Sequence, residues 1–268
     1  MNVALRLQSY GVEVSMVSSV GDDKEGNKII NYLGSSGVNT DGIQISPNYG
    51  TGQVNVVLND KGVASYDITY PVAWDKILPR KYYESQLKIS DIFIYGSLAC
   101  RDNTSRTTLK QLLHFAQYKV FDVNLRAPHY TKELLLELMQ PANFVKFNDD
   151  ELYEVAGYLG SKYNSMEQTI AFVAEKTQTE TICVTKGAYG AVLYHQKIFY
   201  YNSGYRIKVL DTVGSGDSFL ASVIYKLFSG EGPQAAINFG CAVGAMVAKS
   251  EGANPIFTMQ KISRFMNP

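Results

Sequence analysis

Short apolar runs separated by amphipathic stretches set the rhythm of this chain. Ile92-Phe93-Ile94-Tyr95, Val120-Phe121-Asp122-Val123, Phe144-Val145-Lys146-Phe147 and Thr181-Ile182-Cys183-Val184 have the length and the β-branched or aromatic content of strands, and helical patterns lie beside them. Buried strands alternating with helices predict an α/β fold with a mostly parallel central sheet covered by helices on both faces. Nearer the front, residues 12–20 read as a further strand and residues 25–33 as a helix ended by Gly34. Residues 51–70 break the rhythm. Gln53-Val54-Asn55-Val56-Val57-Leu58 and Ala64-Ser65-Tyr66-Asp67-Ile68-Thr69-Tyr70 flank the turn sequence Asn59-Asp60-Lys61-Gly62, which predicts a hairpin projecting from the main sheet. Two long helices are predicted over residues 217–228 and 233–249, with Gly230-Glu231-Gly232-Pro233 turning between them. No internal repeat or low-complexity linker interrupts the chain.

In open α/β sheets, ligands bind beyond the carboxyl ends of the strands, so the strand tails are where chemistry is expected. Those tails read Gly96-Ser97, Asp122-Val123-Asn124-Leu125-Arg126, Lys146-Phe147-Asn148-Asp149-Asp150-Glu151, Thr185-Lys186-Gly187 and Asp211-Thr212-Val213-Gly214-Ser215-Gly216-Asp217-Ser218-Phe219. The last is the richest. Gly214 and Gly216 let the backbone turn tightly and approach a ligand, and the helix that follows offers unpaired N–H groups and a positive dipole end to an anion. Asp217, in the same turn, has the carboxylate needed to take a proton from an alcohol attacking phosphorus.

Composition narrows the ligand. With 268 residues and 46% hydrophobic content the chain supports one substantial domain over residues 1–268. Its 25 basic residues balance 25 acidic ones, so no overall field points to nucleic acid or to an anionic membrane, and a small ligand is expected. Cys100, Cys183 and Cys241 are odd in number and lack metal or disulfide spacing, which favours reduced thiols and the cytoplasm. No apolar run reaches the ~20 residues of a membrane span, and the first residues lack the build of a signal peptide. His114, His129 and His195 show no metal or triad spacing.

Two other phosphate motifs fail on inspection. Gly214-Ser215-Gly216-Asp217-Ser218 is followed by Phe219 where a dinucleotide fingerprint needs Gly, and Gly21 to Lys28 has Asn27 where a P-loop needs Lys. Taken alone, Asp217 after a glycine turn would be an ordinary helix cap, and Asn148 with Glu151 an ordinary capping box. What changes this is company. Asp211 to Asp217 fits the pattern DTxGxGD, and it stands in order behind Val20-Gly21-Asp22-Asp23 with Gly26, Thr51-Gly52, Asp122-Val123-Asn124-Leu125-Arg126, Lys146-Phe147-Asn148 with Glu151, and Val184-Thr185-Lys186-Gly187 with Gly190. In these segments the chain resembles the ribokinase, or PfkB-type, carbohydrate kinase family. Tyr70-Pro71-Val72-Ala73-Trp74-Asp75-Lys76-Ile77 and Gly96-Ser97-Leu98-Ala99-Cys100-Arg101 look most like its bacterial fructokinases.

That resemblance implies a ribokinase-like three-layer α/β/α fold with residues 51–70 as a small β lid. It implies ATP-dependent phosphorylation of a hydroxymethyl group of a free sugar, most simply fructose, with Mg2+ required; another sugar, a sugar acid or a nucleoside is the alternative acceptor. Asp217 becomes the general base and a sugar contact, and Gly214, Ser215 and Gly216 the anion hole. Asn148 and Glu151 are placed near magnesium and the phosphates, and Thr185, Gly187 and Asn238 at the nucleotide. Asp211, Val213, Ser250 and Gly252 fall where many relatives hold a monovalent cation, K+, with a plain turn cap as the other reading of Asp211. Asn2 and Arg101 are the remaining sugar candidates, Arg101 and Arg126 being balanced between ligand contact and surface ion pair. The hairpin fits a homodimer contact or a simple lid. Relatives begin with a further strand and a Gly-Gly segment ahead of the position of Asn2, so the first strand of the family is expected to be absent here, and an inactive nucleotide-binding fragment stands as a further alternative.

Overall fold

The computed structural model describes residues 1–58 and 64–267. In chain order its elements are α1 (Asn2–Gln8), β1 (Ser18–Gly21), α2 (Lys24–Ser35), β2 (Ile43–Ser46), β3 (Val54–Leu58), β4 (Ala64–Ile68), α3 (Lys81–Ile89), β5 (Ile92–Gly96) and α4 (Asn103–Leu113). They continue with β6 (Tyr118–Asp122), α5 (Lys132–Met139), β7 (Phe144–Asn148), α6 (Asp149–Tyr158), α7 (Met166–Thr177), β8 (Thr181–Thr185), β9 (Ala191–His195), β10 (Ile198–Asn202), α8 (Ser215–Phe228), α9 (Pro233–Ala248) and α10 (Met259–Met266). These fall into two compact units, one of Met1–Glu13, Ile92–Leu98 and Tyr118–Pro268, the other of Val14–Asp91 and Ala99–Gln117.

The first unit holds a six-stranded sheet in the order β10-β9-β8-β7-β6-β5. β5 to β8 run parallel, as the apolar runs predict. β9 and β10 are antiparallel additions at one side. Alternate side chains of a strand share a face. Val120, Phe144, Cys183, Ala191 and Leu193 make one buried face, packed against Phe219, Leu220, Val223 and Ile224 of α8 and Ala236, Ile237 and Cys241 of α9. α6 and α7 pack on β7 and β8 through the intervening residues. Burying a Phe or Leu side chain contributes roughly 1.5–3 kcal/mol, so this interior fixes where α8 begins. No helix among the described residues is long and apolar enough to cross a membrane.

The second unit pairs β1 with β2 in parallel, and β3 with β4 as a separate antiparallel pair. The hairpin expected over residues 51–70 is therefore present in its strands; its turn, residues 59–62, lies outside the described residues. The segment expected as a strand over 12–20 is paired as a ladder only at Ser18–Gly21, because β2 offers four residues; ahead of it a single bridge joins Ser15 to Asn39. Gly34 does not end α2, which runs to Ser35; the left-handed residue that lets the chain leave is Gly37, at φ +84°. The Asp23 carboxylate accepts from the Gly26 amide (2.7 Å), the Thr51 hydroxyl (2.6 Å) and the Thr51 amide (2.8 Å), while Gly21 N–H donates to the Thr51 hydroxyl (3.0 Å). Two of the motif segments near the front thus form one structural knot that starts α2.

Candidate active site

The chemistry gathers where β6 and β7 end and α8 begins. Asp122 and Lys146 are direct neighbours in the parallel register, on the sheet face that carries Val120 and Phe144 toward α8. Lys146 Nζ donates to Asp122 Oδ1 at 3.1 Å, and both side chains are buried. A Cβ built on Gly216 would stand 3.7 Å from that nitrogen, so the ammonium lies directly against the first turn of α8. Burial pushes the Asp122 carboxyl above its ordinary value, Lys146 offsets part of this, and the charge of Asp217 adds to the push. Burial alone would lower Lys146, but the fields of Asp122, Glu151 and Asp217 outweigh it and the ammonium is held more firmly protonated than usual. One buried cation thus faces three carboxylates.

The turn is shaped by Gly214, at φ +76°, where a Cβ would meet the Ala253 carbonyl at 2.6 Å; only glycine fits, and the 250–254 turn is packed against it. Ser215 N–H donates to the Thr212 carbonyl (3.2 Å) and its hydroxyl to the Gly244 carbonyl (3.0 Å), so Ser215 spends its polar groups inside the protein. Among the described residues no hydrogen bond takes up the amides of Gly214, Gly216 and Asp217, and these are the donors left for an anion. Of the expected set Gly214, Ser215 and Gly216, the Ser215 amide is turned to Thr212. Asp217 Oδ2 accepts from Asn2 Nδ2 at 2.7 Å, which brings the first and last thirds of the chain to one point.

The other sequence candidates divide. Asn148 and Glu151 form a reciprocal capping box at the start of α6, each at 2.8 Å, and the second Glu151 oxygen accepts from Leu125 N–H at 2.9 Å. Thr185 ends β8 with its hydroxyl on the Phe147 carbonyl (3.3 Å), and Gly187 follows at φ +53°. The Asn238 side-chain oxygen accepts from Asn202 (2.8 Å) and Gln234 (3.0 Å). Asp211 accepts from Val213 N–H at 2.9 Å and so caps its own turn, Ser250 donates to the Met246 carbonyl (2.9 Å), and Gly252 stands at φ +75°. Arg126 is exposed, with Nη1 on the Leu125 carbonyl.

Arg101, in the other unit, is neither exposed nor in a surface pair. Its guanidinium grips Asp75 in a fork (2.7 and 2.9 Å), donates to the carbonyls of Ile68 and Thr69, and lies 4.1 Å from the Trp74 ring centroid. Sequence reasoning gave no role to Lys146 or Asp122. The available signal was a lone charge inside the apolar run Phe144-Val145-Lys146-Phe147, which a strand buried on both faces tolerates only when paired.

Against known proteins, the model for pfkB family carbohydrate kinases matches residues 1–259. The chain belongs to this family. The kinase is 25% identical over 271 residues to fructokinase-2 of Solanum habrochaites, covering 95% of this chain and 81% of the relative. Its fold superposes on the crystal structure of fructokinase with bound ATP from Xylella fastidiosa with a TM-score of 0.86 at 21% identity, over 99% of this chain and 88% of the other. It also matches aminoimidazole riboside kinase from Salmonella enterica, complexed with aminoimidazole riboside and an ATP analog, with a TM-score of 0.81 at 20% identity, over 99% and 90%. The ribokinase-like α/β architecture expected from the sequence is what these likenesses share.

Proposed function

We propose that this carbohydrate kinase transfers the γ-phosphoryl group of ATP to the primary hydroxyl of a free hexose, with fructose giving fructose 6-phosphate as the first acceptor to test. The observation that carries the reading is Asp217, oriented by Asn2 in the same helix turn that presents the unpaired amides of Gly214, Gly216 and Asp217. In the reaction, Asp217 takes the hydroxyl proton as the sugar oxygen bonds to phosphorus. The bond from phosphorus to the bridging oxygen breaks, and ADP leaves with that electron pair. The amides and the Lys146 ammonium face the charge that spreads over the transferring group. Gly216 suits a phosphate here because a side chain would fill the space above Lys146. Magnesium, when bound with the phosphates beside Asn148 and Glu151, would supply further charge neutralisation. A monovalent cation would be held by Asp211 and the backbone around Val213, Ser250 and Gly252.

ADP release measured with fructose, ribose, 2-keto-3-deoxygluconate and nucleosides tests the reading. Stimulation by fructose above the others is expected, preference for a different acceptor would replace fructose, and no stimulation by any of them would overturn phosphoryl transfer to this class. Asp217→Asn should lower kcat by about 10²–10⁴-fold with ATP binding retained, the usual worth of a positioned general base. Calorimetry of ATP binding beside the turnover assay checks both halves.

A further inference from the structure

α1 carries two polar residues one turn apart, Asn2 and Arg6, and the pair reaches the same two segments of chain. Asn2 donates to Asp217 at 2.7 Å and accepts from Asn254 Nδ2 at 2.9 Å. Arg6, only 3% exposed, donates through Nε to the Ser218 hydroxyl at 3.2 Å and through Nη2 to the Pro255 carbonyl at 2.9 Å. Its guanidinium also stands 5.2 Å from the Phe257 ring centroid. Residues 217 and 218 are thus tied to residues 254, 255 and 257 by two rungs on one helix face.

The polarity of the first rung is forced. An ionised Asp217 accepts only, so Asn2 must turn its NH2 toward it and its oxygen away. Asn254 must then present its own NH2 to that oxygen, and its Oδ1 is left buried without a hydrogen-bond partner among the described residues. An unpartnered buried carbonyl is costly, so Asn254 holds this orientation because the chain from Asp217 through Asn2 requires it. The second rung buries a guanidinium that meets hydroxyl, carbonyl and aromatic groups, an arrangement too exacting for simple packing.

We propose that Arg6 and Asn254 are positioning residues for Asp217, which through α1 clamp the start of α8 to the 254–257 segment and fix the direction in which the base presents its free oxygen. This rests on Asp217 being the base, and it goes beyond that reading by assigning its orientation to two residues that reach it through α1. Asn254→Ala should cut kcat about tenfold or more while the KM for ATP stays within about twofold, as expected when a transition-state alignment is lost without loss of ground-state binding. Arg6→Met should act on the same step, Arg6→Lys should recover part of the loss, and the double variant Arg6→Met with Asn254→Ala should lose less than the product of the single losses. Hydrogen exchange of the full chain supplies a readout independent of turnover. In Asn254→Ala, and in Arg6→Met if it folds, exchange should rise together in residues 214–219 and 253–257. Faster exchange in only one segment, or an Asn254→Ala enzyme with kcat within about twofold of the parent, would overturn the clamp. If no acceptor in the panel is phosphorylated, the proposed function fails while the exchange result still decides the clamp.

Discussion

Each compact unit contains a buried acid–base pair, and the two are built to opposite ends. Arg101 and Asp75 are closed: their side chains are 2% and 0% exposed, the fork is bidentate, and two further donors go to the Ile68 and Thr69 carbonyls beside the rings of Trp74 and Tyr70. Lys146 and Asp122 are open in the electrostatic sense. They share one hydrogen bond of 3.1 Å, and the ammonium still feels Glu151 and Asp217 and lies against the Gly216 turn. A pair locked in a bidentate fork and tied to two backbone carbonyls is built to hold structure. A pair with field left over can act on something that arrives, and the residue types agree: Arg where a rigid fork is needed, Lys where a compact point charge is.

Breaking the closed pair should give the largest effect on stability. Arg101→Met leaves Asp75 buried without its partner, for which a loss on the order of 3–5 kcal/mol is expected from urea unfolding. Arg101→Lys should restore only part of it, because an ammonium cannot make the fork. The open pair should respond in rate instead. Lys146→Met is expected to lower kcat by about 10-fold or more while costing less stability, since the Asp122 carboxyl, already pushed up by burial, takes a proton once its partner is gone. Asp122→Asn sharpens the contrast. It removes the charge of Asp122 but leaves the Lys146 ammonium against the Gly216 turn, so kcat should fall less than in Lys146→Met. An Arg101→Met protein with unchanged unfolding, or a Lys146→Met enzyme with unchanged kcat, would erase the distinction between the pairs.

The same contrast explains what could be read from the sequence. β5 to β8 were legible because buried parallel strands are continuous apolar runs, and the capping box of Asn148 and Glu151 because it is local. The β9–β10 hairpin was not, since its turn is Gln196-Lys197, both at positive φ (49° and 67°), without the Asn or Gly that usually announces it. Arg101 looked evenly balanced between ligand and surface because burial is a tertiary property; the aromatic neighbours Tyr70 and Trp74 were the clue to a stacked guanidinium. Asp217 stood out through its glycines, whereas Asn2, which donates to it, lies 215 residues away and no spacing rule connects them. Lys146 sat in plain view in an apolar run, but its three carboxylates come from three separate strand or helix ends.

The smallest effect expected belongs to a third pair, in the unit of Arg101, that lies between the two extremes. Asp102 accepts from Lys76 Nζ (2.6 Å), the Tyr70 hydroxyl (2.9 Å) and, as the cap of α4, Thr104 N–H (2.9 Å). Burial would push its carboxyl up, but the hydrogen bonds from Lys76, Thr104 and Tyr70 outweigh this and hold it at about 2. Because the folded value lies below the unfolded one, the stabilisation is fully present above about pH 4 and is lost as the pH falls toward 2. Asp102→Asn keeps a residue that caps a helix equally well, so it removes the charge and little else. The urea midpoint of the parent should exceed that of Asp102→Asn at neutral pH, and the gap should close as the solution is acidified through this window. A gap that persists unchanged at about pH 2.5 would mean that Asp102, like Asp75, works by filling a geometric slot rather than by its charge.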